Sequence, residues 1–181
     1  FYSGYGDKSI GDLGHVIVCL EGVSMLTAKA WQDSQQYAGQ ESSTRYVNFK
    51  NQPFLSFDKL GNPFLSEGES SSFDFNQQVQ ESWRSFYFKY QEEVLKHVQE
   101  QNPYDEENKE VSKSDWERAT KARMFDIMRA WLPAGATTSV AWYTSISHAN
   151  EMLGLLRNHN LLEVVDSAQV TEKLLINAYP A

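Results

Sequence analysis

A chain of 181 residues, 13% of them aromatic, holds enough large apolar side chains for one domain with a real core, which excludes a disordered chain. The formal net charge of −8 and the pI near 5.0 exclude broad binding to nucleic acid or to anionic membranes, so a phosphate site has to be a local basic patch on an acidic body. No stretch reaches membrane-spanning length and none reads as a secretory signal, so no membrane and a cytoplasmic location are expected. The chain begins with Phe1 rather than Met, and residues 1–181 are expected to form a single domain belonging to a longer protein.

In chain order, the glycines Gly4, Gly6, Gly11 and Gly14 mark a loop-rich opening able to bring backbone close to a ligand, with Asp7, Ser9 and Asp12 as its polar candidates. His15 to Leu20 is a continuous apolar run that suits a buried strand, although its period also admits a helix beginning near Ile10. Cys19, the single cysteine, lies inside this run and is expected to be a buried, inert thiol; an intrachain disulfide is excluded. Gly22 breaks the run, and Val23 to Gln36 predicts a helix that delivers the chain to Gly39. Residues 47–71 alternate aromatic and polar side chains around Pro53, Gly61, Pro63 and Gly68 and predict short strands or a long loop. Val79, Trp83, Phe86, Tyr90, Val94 and Val98 recur every three or four residues and predict one amphipathic helix over 72–101. After the acidic connection at Asn102 to Glu110, Ser114 with Glu117 predicts a capped helix that Pro133 stops. Ala136 to Arg157 carries a further helical pattern, and Asp166 to Asn177 a last helix. The sum is an α+β fold: helix-rich, with a small antiparallel sheet.

The run from Gly39 to Tyr46 has the chemistry of an anion site. Ser43, Thr44 and nearby backbone N–H groups can donate to phosphate oxygens, Arg45 can form a bidentate charged pair, and Glu41 can accept from a polar ring edge. The plainer alternative is a solvated turn holding a local Glu41–Arg45 pair. Arg129, with Asp126 three residues before it, and Arg157 each end an apolar helical segment, where a surface ion pair or a favourable helix C-terminus accounts for them. Convergence of Arg45, Arg129 and Arg157 on one anion is the sharper expectation. No glycine-rich phosphate loop with its lysine, paired-cysteine zinc spacing or Gly-x-Ser-x-Gly elbow is present, and His15, His97, His148 and His159 lack metal-like spacing, so no metal is expected.

These segments together resemble the flavin-dependent thymidylate synthase family, particularly its longer-chain members. Gly4 to Asp12 is similar to the family's N-terminal flavin-contacting motif, and Glu41-Ser42-Ser43-Thr44-Arg45-Tyr46 to the end of its signature motif. Arg129-Ala130-Trp131-Leu132-Pro133, followed by Thr138, Trp142 and Leu155-Leu156-Arg157, is similar to its C-terminal nucleotide-binding region. The resemblance implies a homotetramer with FAD and dUMP bound where subunits meet. It implies methylation of dUMP to dTMP with methylenetetrahydrofolate as methyl donor and NADPH as reductant, and no cysteine nucleophile. By position, Glu41, Ser43, Thr44, Arg45, Arg129 and Arg157 would hold dUMP, while Ser9, Asp12 and His148 would contact FAD. Three departures set this chain apart. Asp33-Ser34-Gln35 stands where the signature opens with Arg-His-Arg, Asp7 stands where the family often has His, and His148 falls near a frequent Arg. A carboxylate beside a pyrophosphate is unfavourable unless screened. The competing expectation is therefore a nucleotide-binding or structural subunit without flavin chemistry.

Overall fold

The computed structural model describes residues 8–50, 52–55, 70–107 and 110–179. Its elements in chain order are β1 (His15–Ser24), α1 (Met25–Gln32), β2 (Ala38–Glu41), α2 (Ser70–Lys89), α3 (Gln91–Gln101), α4 (Lys113–Met128), β3 (Thr137–Ser145), α5 (Ile146–Leu156) and α6 (Leu162–Ala178). The strands form one antiparallel sheet in the order β1-β3-β2, and helices make up most of the rest. This is the helix-rich α+β architecture that the sequence predicts.

Alternation along the strands decides what the sheet does. Val16 and Leu20 on β1, and Thr138, Val140, Trp142 and Thr144 on β3, are buried on one face, where α1, α5 and α6 contribute Ala28, Trp31, Met152, Leu153, Val164 and Ala168 to a shared core. Trp31 meets Trp142 edge-on there, and the Trp31 indole N–H donates to Ser167 Oγ at 3.0 Å. The opposite face is bare: Ile17 is 70% exposed, and His15 stacks on a half-exposed Tyr143. Cys19 has the same parity as Ile17 and is exposed, which corrects the expectation of a buried thiol. An apolar run is fully buried only when both sheet faces are covered, and here one is.

Ser24 closes β1 and opens α1. Its Oγ accepts from the Thr27 N–H at 3.0 Å, while its own N–H and hydroxyl donate to the two Glu163 carboxylate oxygens at 2.8 and 2.5 Å. One buried serine thus ties the strand, its following helix and α6 together. A second core forms where α2, α3 and α4 meet the segment around Phe49, with Tyr87, Met124, Met128 and Ala136 buried. Arg84 of α2 clamps that segment, donating to the carbonyls of Phe49, Lys50 and Gln52 and lying 4.0 Å from the Phe54 ring centroid. Phe54 pairs with Ala136 as an isolated bridge; most of the predicted loop at 47–71 lies outside the described residues, as do residues 1–7.

Several expected boundaries move. β1 runs on to Ser24, so α1 begins later than Val23 and ends at Gln32 rather than Gln36. The amphipathic pattern over 72–101 is two helices broken at Tyr90. The cap of α4 is Ser112, whose Oγ accepts from the Asp115 N–H at 3.1 Å, not Ser114. The largest correction is at Ala136 to Arg157, where the expected helix is a strand followed by a helix. Thr137, Thr138, Val140, Trp142, Tyr143 and Thr144 fit a pleated surface better than a helix, and burial there follows a period of two. Finally α6 begins four residues before Asp166, with no side-chain cap to mark it.

Candidate functional site

The segment Glu41 to Tyr46 leaves the sheet as a tight turn. The Ser42 N–H donates to the Ser139 carbonyl at 2.9 Å, and the Ser43 carbonyl accepts from Tyr46 and Val47 at 3.0 and 3.1 Å. Ser43 Oγ accepts from the Arg45 N–H at 3.3 Å, so this hydroxyl shapes the turn, and Thr44 sits half-buried inside it. The Glu41–Arg45 pair of the plainer alternative does not form. Glu41 accepts instead from Gln32 Nε2 at 2.8 Å, at the end of α1.

Arg45 reaches 81 residues along the chain to α4. Its Nε and Nη2 donate to the two Asp126 carboxylate oxygens at 3.0 and 2.5 Å, a bidentate fork, and Arg129 Nη1 lies 3.6 Å from the same carboxylate. Two of the three arginines expected to hold an anion therefore meet around one carboxylate. The Arg45 and Arg129 side chains are 44% and 55% exposed, whereas Asp126 is only 16% exposed, so the cations face solvent and the acid lies beneath them. The Arg45 hydrogen bond, then the charges of Arg45, Arg129 and Arg123, hold the Asp126 carboxyl below its ordinary value of 3.8 against the opposing effect of burial. Reciprocally, Asp126 raises the Arg45 guanidinium. Sequence reading noted Asp126 as the neighbour of Arg129 but missed it as the shared partner. The i, i+3 spacing was visible; nothing local marks the contact with Arg45.

Arg157 is not joined to this pair. It follows α5 and its Nη1 donates to both Glu172 oxygens on α6 at 2.6 and 2.8 Å. Of the six residues expected to hold dUMP, Arg45 and Arg129 converge, Ser43 and Thr44 build the turn beneath Arg45, and Glu41 and Arg157 have separate partners.

The residues expected to contact FAD gather at the start of α5. Ser145 Oγ caps that helix, accepting from the His148 N–H at 3.2 Å, and donates to Asp12 Oδ1 at 3.5 Å. The Ile146 N–H donates to the Gly14 carbonyl at 2.9 Å, and a Cβ on Gly11 would lie 3.2 Å from the Ser147 backbone nitrogen, so the turn at Lys8–Asp12 is seated closely on α5. Ser9 belongs to this turn, but its side chain lies outside the described residues. His148 Nε2 is 3.4 Å from Ser34 Oγ, which places the departing Asp33-Ser34-Gln35 turn against the same cluster. Asp33 is occupied by Lys29 at 2.9 Å, whose hydrogen bond and charge hold the Asp33 carboxyl below its ordinary value. Among the described side chains this cluster has two carboxylates, Asp12 and Asp33, and one lysine, Lys29, neutralised by Asp33. Among the described residues it offers a pyrophosphate no uncommitted cation, and of the N–H groups that open α5, those of Ile146 and His148 are already taken by the Gly14 carbonyl and Ser145 Oγ.

Trp83 of α2 stacks on Trp131 at 5.6 Å and Phe86 meets the same ring tilted at 5.0 Å, which leaves Trp83 and Trp131 as exposed aromatic surface two residues on from Arg129 in sequence. Among the described residues, no helix is long and apolar enough to cross a membrane.

Comparison with known proteins finds distant relatives only. Over 171 aligned residues, covering 88% of this chain, it is 28% identical to a UPF0159 protein of Chlamydia muridarum (strain MoPn / Nigg). Over an alignment of the same length it is 26% identical to a UPF0159 protein of Chlamydia pneumoniae. These alignments take in 30% and 29% of the relatives, so the chain spans less than a third of the length of the curated proteins it matches. No family model matches the chain.

Proposed function

We propose that this chain binds dUMP, with Arg45 and Arg129 on its phosphate, and carries the nucleotide half of a flavin-dependent thymidylate synthase-type site. The observation that supports this reading is the convergence of the two arginines on Asp126. A nucleotide phosphate offers more acceptor oxygens and more charge than the carboxylate now held there, so it can replace Asp126 on both guanidiniums. Ser43 and Thr44 would donate from the turn below, and Glu41 would accept from the base once released by Gln32. Arg157 would act only by leaving Glu172 or through a neighbouring subunit, in the homotetramer that the resemblance implies. The activity served by such a site is methylation of dUMP to dTMP. When bound, FAD would supply the hydride, with NADPH and methylenetetrahydrofolate as co-substrates. Among the described residues, the Asp12, Asp33 and His148 cluster supplies no uncommitted cation for the flavin pyrophosphate.

The same lack favours a second reading, a nucleotide-binding or structural subunit without flavin chemistry. The discriminating experiment is a visible absorption spectrum of the full chain after incubation with FAD and desalting, with and without dUMP, alongside calorimetric titration of dUMP. A retained flavin band that changes with dUMP supports the first reading. Binding of dUMP without retained flavin supports the second. No dUMP binding by wild-type protein refutes the first reading and leaves, of the second, only the structural subunit.

A further inference from the structure

Beyond nucleotide binding, the edge of the sheet that is unpaired among the described residues has the features of an interface. In the order β1-β3-β2, β1 is an edge strand, and its partner on one side is β3. Among the described residues nothing pairs with the other side between His15 and Glu21. Natural edge strands are blunted by lysine, proline, bulges or short length. This segment has no lysine or proline, runs seven residues in regular register, and meets its first irregularity only between Glu21 and Val23, at Gly22 with φ of 67°. Beside it lies a groove of about 590 Å³ between β1 and α6, with Val170 and Leu174 56% and 62% exposed along its helical wall.

We infer that this edge is the contact with a second copy of the chain, β1 pairing antiparallel with β1 of its partner about a twofold axis at Val18. The register follows from charge and length. Antiparallel pairing about Val18 sets His15 opposite Glu21 twice, Val16 opposite Leu20 and Ile17 opposite Cys19, using the whole regular segment and stopping at the bulge. Moving the axis to Ile17 or Cys19 loses both His15–Glu21 pairs and puts apolar residues opposite His15 or Glu21. Within each pair the two members lie on the bare face, so imidazole N–H and carboxylate can meet without disturbing either core. The dimer sheet has six strands, and the α6 stripe Val170, Leu174 and Ala178 lies under the new seam, facing its symmetry mate. A twofold contact of this kind is self-complementary by construction.

Sedimentation equilibrium on the full chain tests this, with Glu21→Lys, His15→Glu and the double charge swap. Both side chains are exposed, so folding is not at stake, and far-UV circular dichroism checks it. The wild type is expected to dimerise, each single variant to dissociate about two- to thirtyfold more readily, Glu21→Lys because His15 loses its acceptor in both pairs and His15→Glu because like charges meet, and the double variant to recover. Hydrogen exchange should show β1 amides gaining protection with concentration in the wild type alone among these and the single variants. A monomer at all concentrations overturns the inference. So does a dimer that both single variants leave unchanged, which places the contact elsewhere, or single-variant losses that the double swap fails to restore.

Discussion

Replacing Gly39 with Ala tests how the sheet positions the anion turn. The limit at this position is space. A Cβ there would lie 2.1 Å from the Ala141 carbonyl oxygen, 2.4 Å from the Tyr37 hydroxyl and 2.6 Å from the ring carbon that bears it. Tyr37 crosses over Gly39 to donate to that same carbonyl at 3.0 Å. Backbone cannot yield as a flexible side-chain end would, so β2 must shift by roughly an ångström or Tyr37 must leave. Overpacking of this kind costs about 1–3 kcal/mol and loss of the hydrogen bond about 1 kcal/mol more, together roughly 2–4 kcal/mol. For a chain of this length that corresponds to a fall in Tm of roughly 5–15 °C. Because β2 runs directly into Ser42 and the Arg45 turn, dUMP affinity should fall as well. Urea unfolding followed by circular dichroism, with calorimetric titration of dUMP, measures both. Tyr37→Phe, which removes the hydrogen bond and leaves the space, should cost only about 1 kcal/mol. A Gly39→Ala protein within about 0.5 kcal/mol of wild type would refute the packing argument.

Arg129→Ala should weaken dUMP binding roughly tenfold to a hundredfold, the scale of a lost hydrogen bond to a charged group, read by calorimetry. Asp126→Asn should act in the opposite sense, tightening dUMP about two- to fivefold at low salt by removing the competing anion; a weaker complex would show that Asp126 holds Arg45 in place for the ligand. Since the Asp126 carboxyl is held below 3.8, its competition is fully present above that value and lost only as pH falls through the lower folded value, so the effect of Asp126→Asn should be flat from about pH 5 to 8. Ser24→Ala leaves the Thr27 N–H uncapped and removes a donor from Glu163, an expected cost of roughly 2–4 kcal/mol in urea unfolding. Burial pushes the Tyr87 hydroxyl above 10.0, so wild-type stability should decline as pH rises past that point, where the unfolded chain ionises first; Tyr87→Phe should flatten that alkaline limb.

Local sequence carried much of the fold and less of the site. The apolar run at His15 to Leu20 marked β1, and the spacing of Val79, Trp83 and Phe86 marked α2, because each signal is written in neighbouring residues. Val140, Tyr143 and Ile146, three apart, mimic a helix, and that coincidence hid β3 although its β-branched and aromatic content pointed to a strand. Cys19 could not be placed from β1 alone, since the strand's own composition does not say that helices cover one face and leave the other bare. The turn at Glu41 to Tyr46 was legible from its residue types. Its real partner was not: Asp126 meets Arg45 only because α4 packs near the turn, a tertiary fact with no local trace.

Internal neutralisation recurs at the candidate ligand groups. Arg45 and Arg129 share Asp126, Arg157 is held by Glu172, and Lys29 beside the expected flavin region is held by Asp33. Ligand binding at these groups is therefore an exchange of anions, and affinity depends on how much better the incoming group satisfies the cation than the carboxylate it displaces. At Arg45 and Arg129 the exchange favours a phosphate monoester, because one carboxylate makes a close fork with Arg45 and only a 3.6 Å contact with Arg129, while a dianion with three oxygens can serve both. At Lys29 it would not, because among the described side chains this exposed lysine already has its own i, i+4 partner, and a pyrophosphate there would have to displace Asp33 and be repelled by it. On the proposed function, the acidic balance of the chain would therefore not weaken both halves of the site equally: the exchange at Arg45 and Arg129 would still admit a nucleotide monophosphate, while the pairing of Lys29 with Asp33 would work against a flavin pyrophosphate.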